Sequence, residues 1–369
     1  MVTLGGKISS GAGNNLNAIR LMLALAVMVS HAFPLSLGGD GESKGDPLYA
    51  LTHGQLTSGS FAVDLFFFIS GLLITASWLR SRSMLDFLMK RILRIYPAFI
   101  GAVLFSAVVT WIACPAFRST VSSASWLMAL VKDCLLLTQN SLSNWAGIFP
   151  SNPYPGYANG SLWTIPREFQ CYLLVAVMGL FCLFKRRLVI LCLTLAIVLW
   201  YAKYLLAGAS VEFLDSRFLS FFLMGMVCWL WRDKMLMSPW MALGCFVLLL
   251  ITSQLKPWFS ILLPPLGGYL TLWLGYGMKT SFLAWTRKTD LSYGTYLFAF
   301  PVQQLVAMHS SLRSPWVSLT ISVPITLGLA WISWHLVEKR FLAMKKMPHM
   351  DYDPGALEST GKTRPVSIS

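Results

Sequence analysis

Ten apolar runs of about 20 residues dominate the chain, at 18–37, 60–79, 95–113, 163–184, 188–206, 216–232, 239–255, 259–278, 291–309 and 315–337. Nothing else limits its fold as strongly, because about 20 apolar residues in a helix span the hydrocarbon core of a bilayer. Lipid offers no hydrogen bonds, so a spanning segment must satisfy its own backbone. A β-barrel would show short alternating segments instead. The expected fold is therefore an all-α polytopic membrane protein with about ten transmembrane helices. Composition agrees: 56% of the residues are hydrophobic and 12% charged, against roughly 25% charged in soluble domains.

The net charge of +14 could suggest nucleic acid as a partner. The basic residues, however, fall in short clusters between apolar runs, which is the pattern of cytoplasmic loops and anionic-lipid contacts. No nucleic-acid partner is expected. With the N-terminus inside, eight of the 29 Lys and Arg lie outside (Lys44, Arg118, Lys132, Arg167, Lys203, Arg217, Lys256 and Arg313), leaving 21 inside. That imbalance places both termini in the cytoplasm. The seven cysteines sit mostly within apolar runs without a CxxC pair, so neither a disulfide nor a metal site is implied. The opening segment, 1–17, is polar and glycine-rich and lacks a signal-peptide layout. The membrane domain covers 18–342, and the polar tail 343–369 reads as disordered and cytoplasmic. No internal repeat is evident.

Two outer connections are long. Within 114–162, "WLMALVKDCLLL" (126–137) is too short to span and carries Lys132 and Asp133. It reads as an interfacial or re-entrant helix. The following "SNPYPGYANGSLW" (151–163) mixes turn residues with aromatics that suit either sugar faces or an interfacial aromatic belt.

Ionisable groups inside spans mark functional sites by default. Arg20 and His31 bracket the first run, "RLMLALAVMVSH". Eleven residues at about 100° each make three turns plus about 20°, so both side chains share one helix face, about 16 Å apart along the axis. Arg20 lies toward the cytoplasm, where snorkelling is its alternative role. His31 lies in the outer half, where its alternative is a hydrogen-bonded structural histidine. Asp64, the one acid of "SFAVDLFFFISGLLI" (60–74), is a candidate partner for His31, or a helix-start acid facing the macrodipole. Ser70 and Gly71 suit close helix packing. Arg91 and Arg94 share a face at i, i+3 and suit phosphate, unless they are generic inside charge. In "SLWTIPREFQCYLL" (161–174), Arg167 and Glu168 point about 100° apart, and Glu168 shares a face with Tyr172. Glu168 is read at the depth of His31, with a headgroup ion pair as the alternative. Arg217 opens the sixth run at its outer end. Trp163, Arg167, Tyr172 and Arg217 are the candidate acceptor contacts. Tyr293 and Tyr296 read as packing residues, and His53, His309, His335 and His349 receive no role.

These pieces resemble the acyltransferase 3 family of integral membrane enzymes that O-acylate bacterial surface glycans. The resemblance covers about 14–342 and rests on Arg20-x10-His31, "VDLFFFISGLLI" (63–74), Arg91-x-x-Arg94, "SLWTIPREFQCYLL", "RFLSFFLMGM" (217–226), "LSYGTYLFAFPV" (291–302) and "HLVEKRF" (335–341). It implies a ten-helix core in a bacterial inner membrane using cytoplasmic acyl-CoA, usually acetyl-CoA, as donor and needing no metal. The acceptor would be O-antigen, capsule, exopolysaccharide or a lipid-linked sugar. It implies that His31 and Arg20 serve transfer, that Arg91 and Arg94 hold the donor, and that Asp64 and Glu168 matter. Many members carry a histidine two residues before the helix-9 proline, where this chain has Ala299. Many also carry a C-terminal hydrolase-like domain, for which this chain is expected to have no room. A proton-coupled transporter using His31, Asp64 and Glu168 as a relay is the competing class, and it lacks the usual inverted repeat.

Overall fold

The computed structural model describes residues 2–11, 13–39, 45–135, 145–209, 215–278, 284–310 and 313–344. Ten long helices among these residues carry the fold: α1 Leu16–Leu37, α2 Ser58–Leu79, α3 Met84–Ala113, α4 Thr164–Leu180, α5 Arg187–Leu206, α6 Asp215–Leu230, α7 Pro239–Ser253, α8 Trp258–Leu272, α9 Ser292–His309 and α10 Pro315–Ser333. Each coincides with one apolar run. No strand occurs among the described residues, only an isolated bridge between Thr3 and Leu236. The tail beyond 344 lies outside the described residues.

Among the described residues, five helical segments are long and apolar enough to cross a membrane: α1, α2, α3, α5 and the stretch Pro315–Met344 that begins with α10. The sequence leads one to expect ten. α4, α6, α7 and α8 have 17, 16, 15 and 15 residues, so at 1.5 Å per residue each reaches only about 23–26 Å of the roughly 30 Å core. α8 continues through a π-helical turn, Trp273–Gly277. α10 does likewise through Trp334–Glu338 into Lys339–Met344.

Local chemistry sets the helix starts. The Thr57 hydroxyl accepts from Ser60 N at 3.1 Å to cap α2. Ser83 accepts from Asp86 N at 3.2 Å, and Asp86 in turn accepts from Arg82 N at 3.0 Å and Lys90 Nζ at 2.6 Å. This reciprocal cap extends α3 outward from the apolar run that begins at 95, so Arg91 and Arg94 lie within the helix itself. α1 contains Pro34 and ends at Gly38, whose φ of 99° suits glycine.

α2 sits at the centre, packed against α1, α4, α6 and α8. Its tightest neighbour is α6. A Cβ on Gly71 would strike the Phe222 backbone, and one on Gly225 would strike the backbone of Phe68 and Leu72. Small residues allow backbones to approach closely without a side chain between them, as the sequence suggests for Gly71. α9 packs against α1, α3 and α10. α5 and α7 lie at the rim and expose Leu195, Leu199, Trp240, Leu243 and Phe246, among others.

The described parts of the connection between α3 and α4 are held by side-chain contacts. Helix Ser123–Cys134 buries Trp126 and Asp133 while exposing Leu127, Met128 and Val131. Trp126 joins Phe117 and Trp145 in a three-ring cluster with centroids 4.9–5.9 Å apart. Gln304 of α9 donates to the carbonyls of Tyr154 and Tyr157 at 2.9 and 3.1 Å and accepts from Asn152 at 2.7 Å. Asn159 donates to Leu297 O at 2.9 Å. The neighbouring Gln303 donates to Met28 O of α1 at 2.8 Å.

Replacing Gly225 with Leu should force α2 and α6 apart, at about 1–3 kcal/mol or more for an overpacked core. The expected outcome is a lowered thermal midpoint of the detergent-purified protein, with Gly244→Leu, which meets open space, as the unshifted control.

Candidate active site

α2 forms one wall of two adjoining cavities. The first lies among Arg20 of α1, Ser70 of α2, Arg91 and Arg94 of α3, Glu168 and Tyr172 of α4, and Tyr293 and Tyr296 of α9. Its α2 side is apolar, with Phe66, Ile69, Leu73 and Ile74. The second is lined by Val27, Ser30 and His31 of α1, Ser60 and Val63 of α2, Trp163, Arg217 of α6 and Tyr296. One stripe of α2 from Ser60 to Ile74 thus lines both, over about 21 Å at 1.5 Å per residue. α1 contributes Arg20 to one cavity and His31 to the other.

In the first cavity the arginines are not equivalent. Asp290, in the connection before α9, accepts from Arg20 at 2.6 Å and from Arg94 at 2.5 Å on the same Oδ2. Its Oδ1 accepts from the Ser292 hydroxyl at 2.6 Å. Burial resists ionisation of Asp290, but Arg20, Arg94 and the Ser292 hydroxyl outweigh it and hold the carboxyl well below the usual range. Glu338, from the π-helical turn after α10, lies 3.9 Å from Arg94 and accepts from Ser333 at 3.1 Å. The Arg94 guanidinium also stands 5.9 Å from the Tyr293 ring. Arg91 donates to the Ser77 hydroxyl at 3.2 Å, lies 6.0 Å from the Phe87 ring, and has its Nε without a partner among the described residues. Glu168 Oε1 accepts from Tyr172 at 2.5 Å and Ser70 at 3.1 Å.

In the second cavity the His31 ring meets Phe300 edge-on at 5.2 Å, and its buried Nδ1 has no partner among the described residues. Phe300 is wedged from the other side, where a Cβ on Gly160 would strike its ring. Ala299, two residues before Pro301, where the resemblance leads one to expect a histidine, packs with Met28, Ala32 and Leu319. Arg217 is 2% exposed. Its Nε donates to Asp64 at 2.6 Å and its Nη2 to Ser60 O at 2.9 Å.

Four sequence expectations change. Asp64 does not face His31: one residue on from Val63, it turns about 100° away from the cavity stripe toward α6, where the Arg217 guanidinium pairs with Oδ1 of a fully buried carboxylate whose Oδ2 has no partner among the described residues. Glu168 does not share the depth of His31 but sits in the arginine cavity. Tyr172, expected beside an outer acceptor, follows Glu168 there because i and i+4 share a face. Arg167 lines neither cavity. It pairs with Asp215 and stands 5.3 and 5.6 Å from the rings of Trp163 and Phe218. Trp163 and Arg217 do line the His31 cavity, and Arg20, Arg91 and Arg94 do gather in one place. Tyr293 and Tyr296, read as packing residues, line the arginine cavity, and Asp290 and Glu338 have no role in the sequence reading. Asp290 and Glu338 flank or sit within pieces of the resemblance, next to "LSYGTYLFAFPV" and inside "HLVEKRF", and that was their only signal.

Comparison with known proteins matches residues 14–335 to the family described as "Acyltransferase domain". An "O-acetyl transferase" of Shigella phage Sf6 is 29% identical over 366 residues, covering 92% of this chain and 99% of the relative. "Nodulation protein 10" of Rhizobium leguminosarum bv. viciae is 28% identical over 375 residues, covering 91% and 95%. No solved structure matches.

The Arg217–Asp64 pair offers a direct test of the second cavity's frame. Arg217→Met strands a buried carboxylate and should destabilise by about 3–5 kcal/mol, whereas Arg217→Met with Asp64→Leu should recover much of that loss. Thermal midpoints of the two variants in detergent check the order.

Proposed function

The chain belongs to the acyltransferase family as a multi-pass membrane protein, and from that premise we propose that it carries an acyl group from cytoplasmic acyl-CoA across the membrane to a sugar hydroxyl. In the simplest case the group is acetyl, a choice supported by the relative named O-acetyl transferase. The acceptor is a surface polysaccharide or lipid-linked sugar, and the setting is a bacterial inner membrane. All ten long helices cross, with both termini cytoplasmic, a reading supported by the 21 to 8 division of Lys and Arg.

One observation carries the proposal: a single face of α1 delivers Arg20 to an arginine-lined cavity and His31 to an adjoining one. The donor docks in the first. Arg91 contacts its phosphates most directly, because Arg20 and Arg94 are already committed to Asp290. The apolar α2 wall accommodates the arm that leads to the thioester. The acceptor lies in the second cavity against the Trp163 ring, and Arg217 and the Ser30 and Ser60 side orient it. His31 takes the proton from the attacking hydroxyl as the carbonyl–oxygen bond forms and the carbonyl–sulfur bond breaks. That proton then passes to the departing thiolate, giving an ester and free CoA. A proton relay through His31, Asp64 and Glu168 is not supported by this geometry, since both acids are turned to other partners.

His31→Ala should lower acyl transfer by at least about a hundredfold, the usual loss of a general base, while the protein still inserts. The measure is free thiol released from acetyl-CoA by membranes, paired with NMR of the surface polysaccharide. Arg91→Ala should raise the apparent KM for acetyl-CoA about tenfold or more, as expected for losing a hydrogen bond to a charged group, with a smaller change in kcat. An unchanged KM would count against donor docking there.

A further inference from the structure

The two cavities share two lining residues, Val63 of α2 and Tyr296 of α9. Both are held stiffly. The Tyr296 hydroxyl donates to Ser161 O at 2.9 Å and lies 2.6 Å from the Thr164 hydroxyl. Its ring meets Phe66 at 6.1 Å, one turn along α2 from Val63. Tyr296 is 8% exposed, as is Val63. A β-branched residue in a helix has one strongly preferred χ1, so Val63 cannot swing aside. Residues on either side of this pair belong to one cavity or the other. Arg20, Arg91 and Arg94 lie on one side, and His31, Trp163 and Arg217 on the other.

We propose that Val63 and Tyr296 form an aperture of fixed width that selects the acyl group by length, admitting acetyl and rejecting longer chains. This rests on the reading that the donor docks among the arginines while His31 acts from the second cavity. The reacting carbonyl must then lie between the two residues, with its sulfur on the arginine side and the attacking oxygen on the His31 side. The bond to sulfur breaks and the bond to oxygen forms at that point, and the hydroxyl proton leaves through His31 for the thiolate. The methyl group of an acetyl unit is the only part of the donor beyond the carbonyl, and it has to share the gap with the side chains of Val63 and Tyr296. Each further methylene has to find room in the same gap. A rigid apolar wall discriminates by such increments at about 10–200-fold per methylene.

The test compares acetyl-, propionyl- and butyryl-CoA as donors for the full chain in membrane vesicles that retain the cell's own glycans, read as free thiol released. Val63→Ala should raise the propionyl-to-acetyl ratio of kcat/KM about tenfold or more, and Val63→Leu should lower it. The two substitutions act in opposite directions on one gap, so the assignment survives if either variant alone fails to fold. Wild-type release of thiol with a ratio that stays within twofold in the folded variants overturns the aperture and leaves the acyltransferase reading standing. No thiol release from any donor by the wild type overturns both.

Discussion

A guanidinium enclosed by apolar helices needs a counter-charge and a full set of acceptors close by, because the surroundings supply neither. This requirement organises the interior. Arg217 draws Asp64 toward α6 and is closed off by Ser60 O. Arg20 and Arg94 converge on one oxygen of Asp290, which joins α1, α3 and the start of α9 at a single atom. Glu338 adds the end of α10 to the same group. The bundle is thus tied at two depths by charge, and the cavities lie between those ties. Arg91 is held by the Ser77 hydroxyl, and its Nε has no partner among the described residues.

Much of this was legible in the residues. Hydropathy located all ten helices, since each apolar run had only helical ways to satisfy its backbone. Helix arithmetic put Arg20 and His31 on one face, and the structure gives that face two adjoining cavities. Small residues at Gly71 foretold the closest helix pair. The failures share one cause. Asp64 was placed by depth, which does not report rotation about the helix axis; Glu168 was read at the depth of His31, and it lines the arginine cavity instead, together with Tyr172 one turn on. Asp64 and Val63 are adjacent in sequence yet serve different neighbours. Asp290 pairs with Arg20 across 270 positions, a relation no local pattern encodes. Tyr296 looked like packing because an aromatic at helical spacing within an apolar run carries no mark of which void it borders.

The connection that precedes α4 shows how irregular backbone is held against a helix bundle. Residues 145–163 run without a long helix, yet their carbonyls and amides are answered from α9 by Gln304 and Leu297 and from α3 by Ser106, through Asn159. α9 therefore has two duties. Its N-terminal turns line the arginine cavity with Tyr293 and Tyr296, and its C-terminal turns moor the connection before α4. Phe300 sits between those duties, touching both His31 and the space over Gly160.

α5 and α7 differ from the rest. Their outward Leu, Phe and Trp side chains meet no facing helix among the described residues, so shape complementarity is not asked of them there, only hydropathy. Many sequences satisfy that demand equally well. Substitutions among apolar residues on these two faces should accumulate freely over evolutionary time, while positions along the α2 stripe stay restricted. The molecule's specificity is written in its centre, and its perimeter is a nearly silent margin in which the history of the chain can vary without altering what it does.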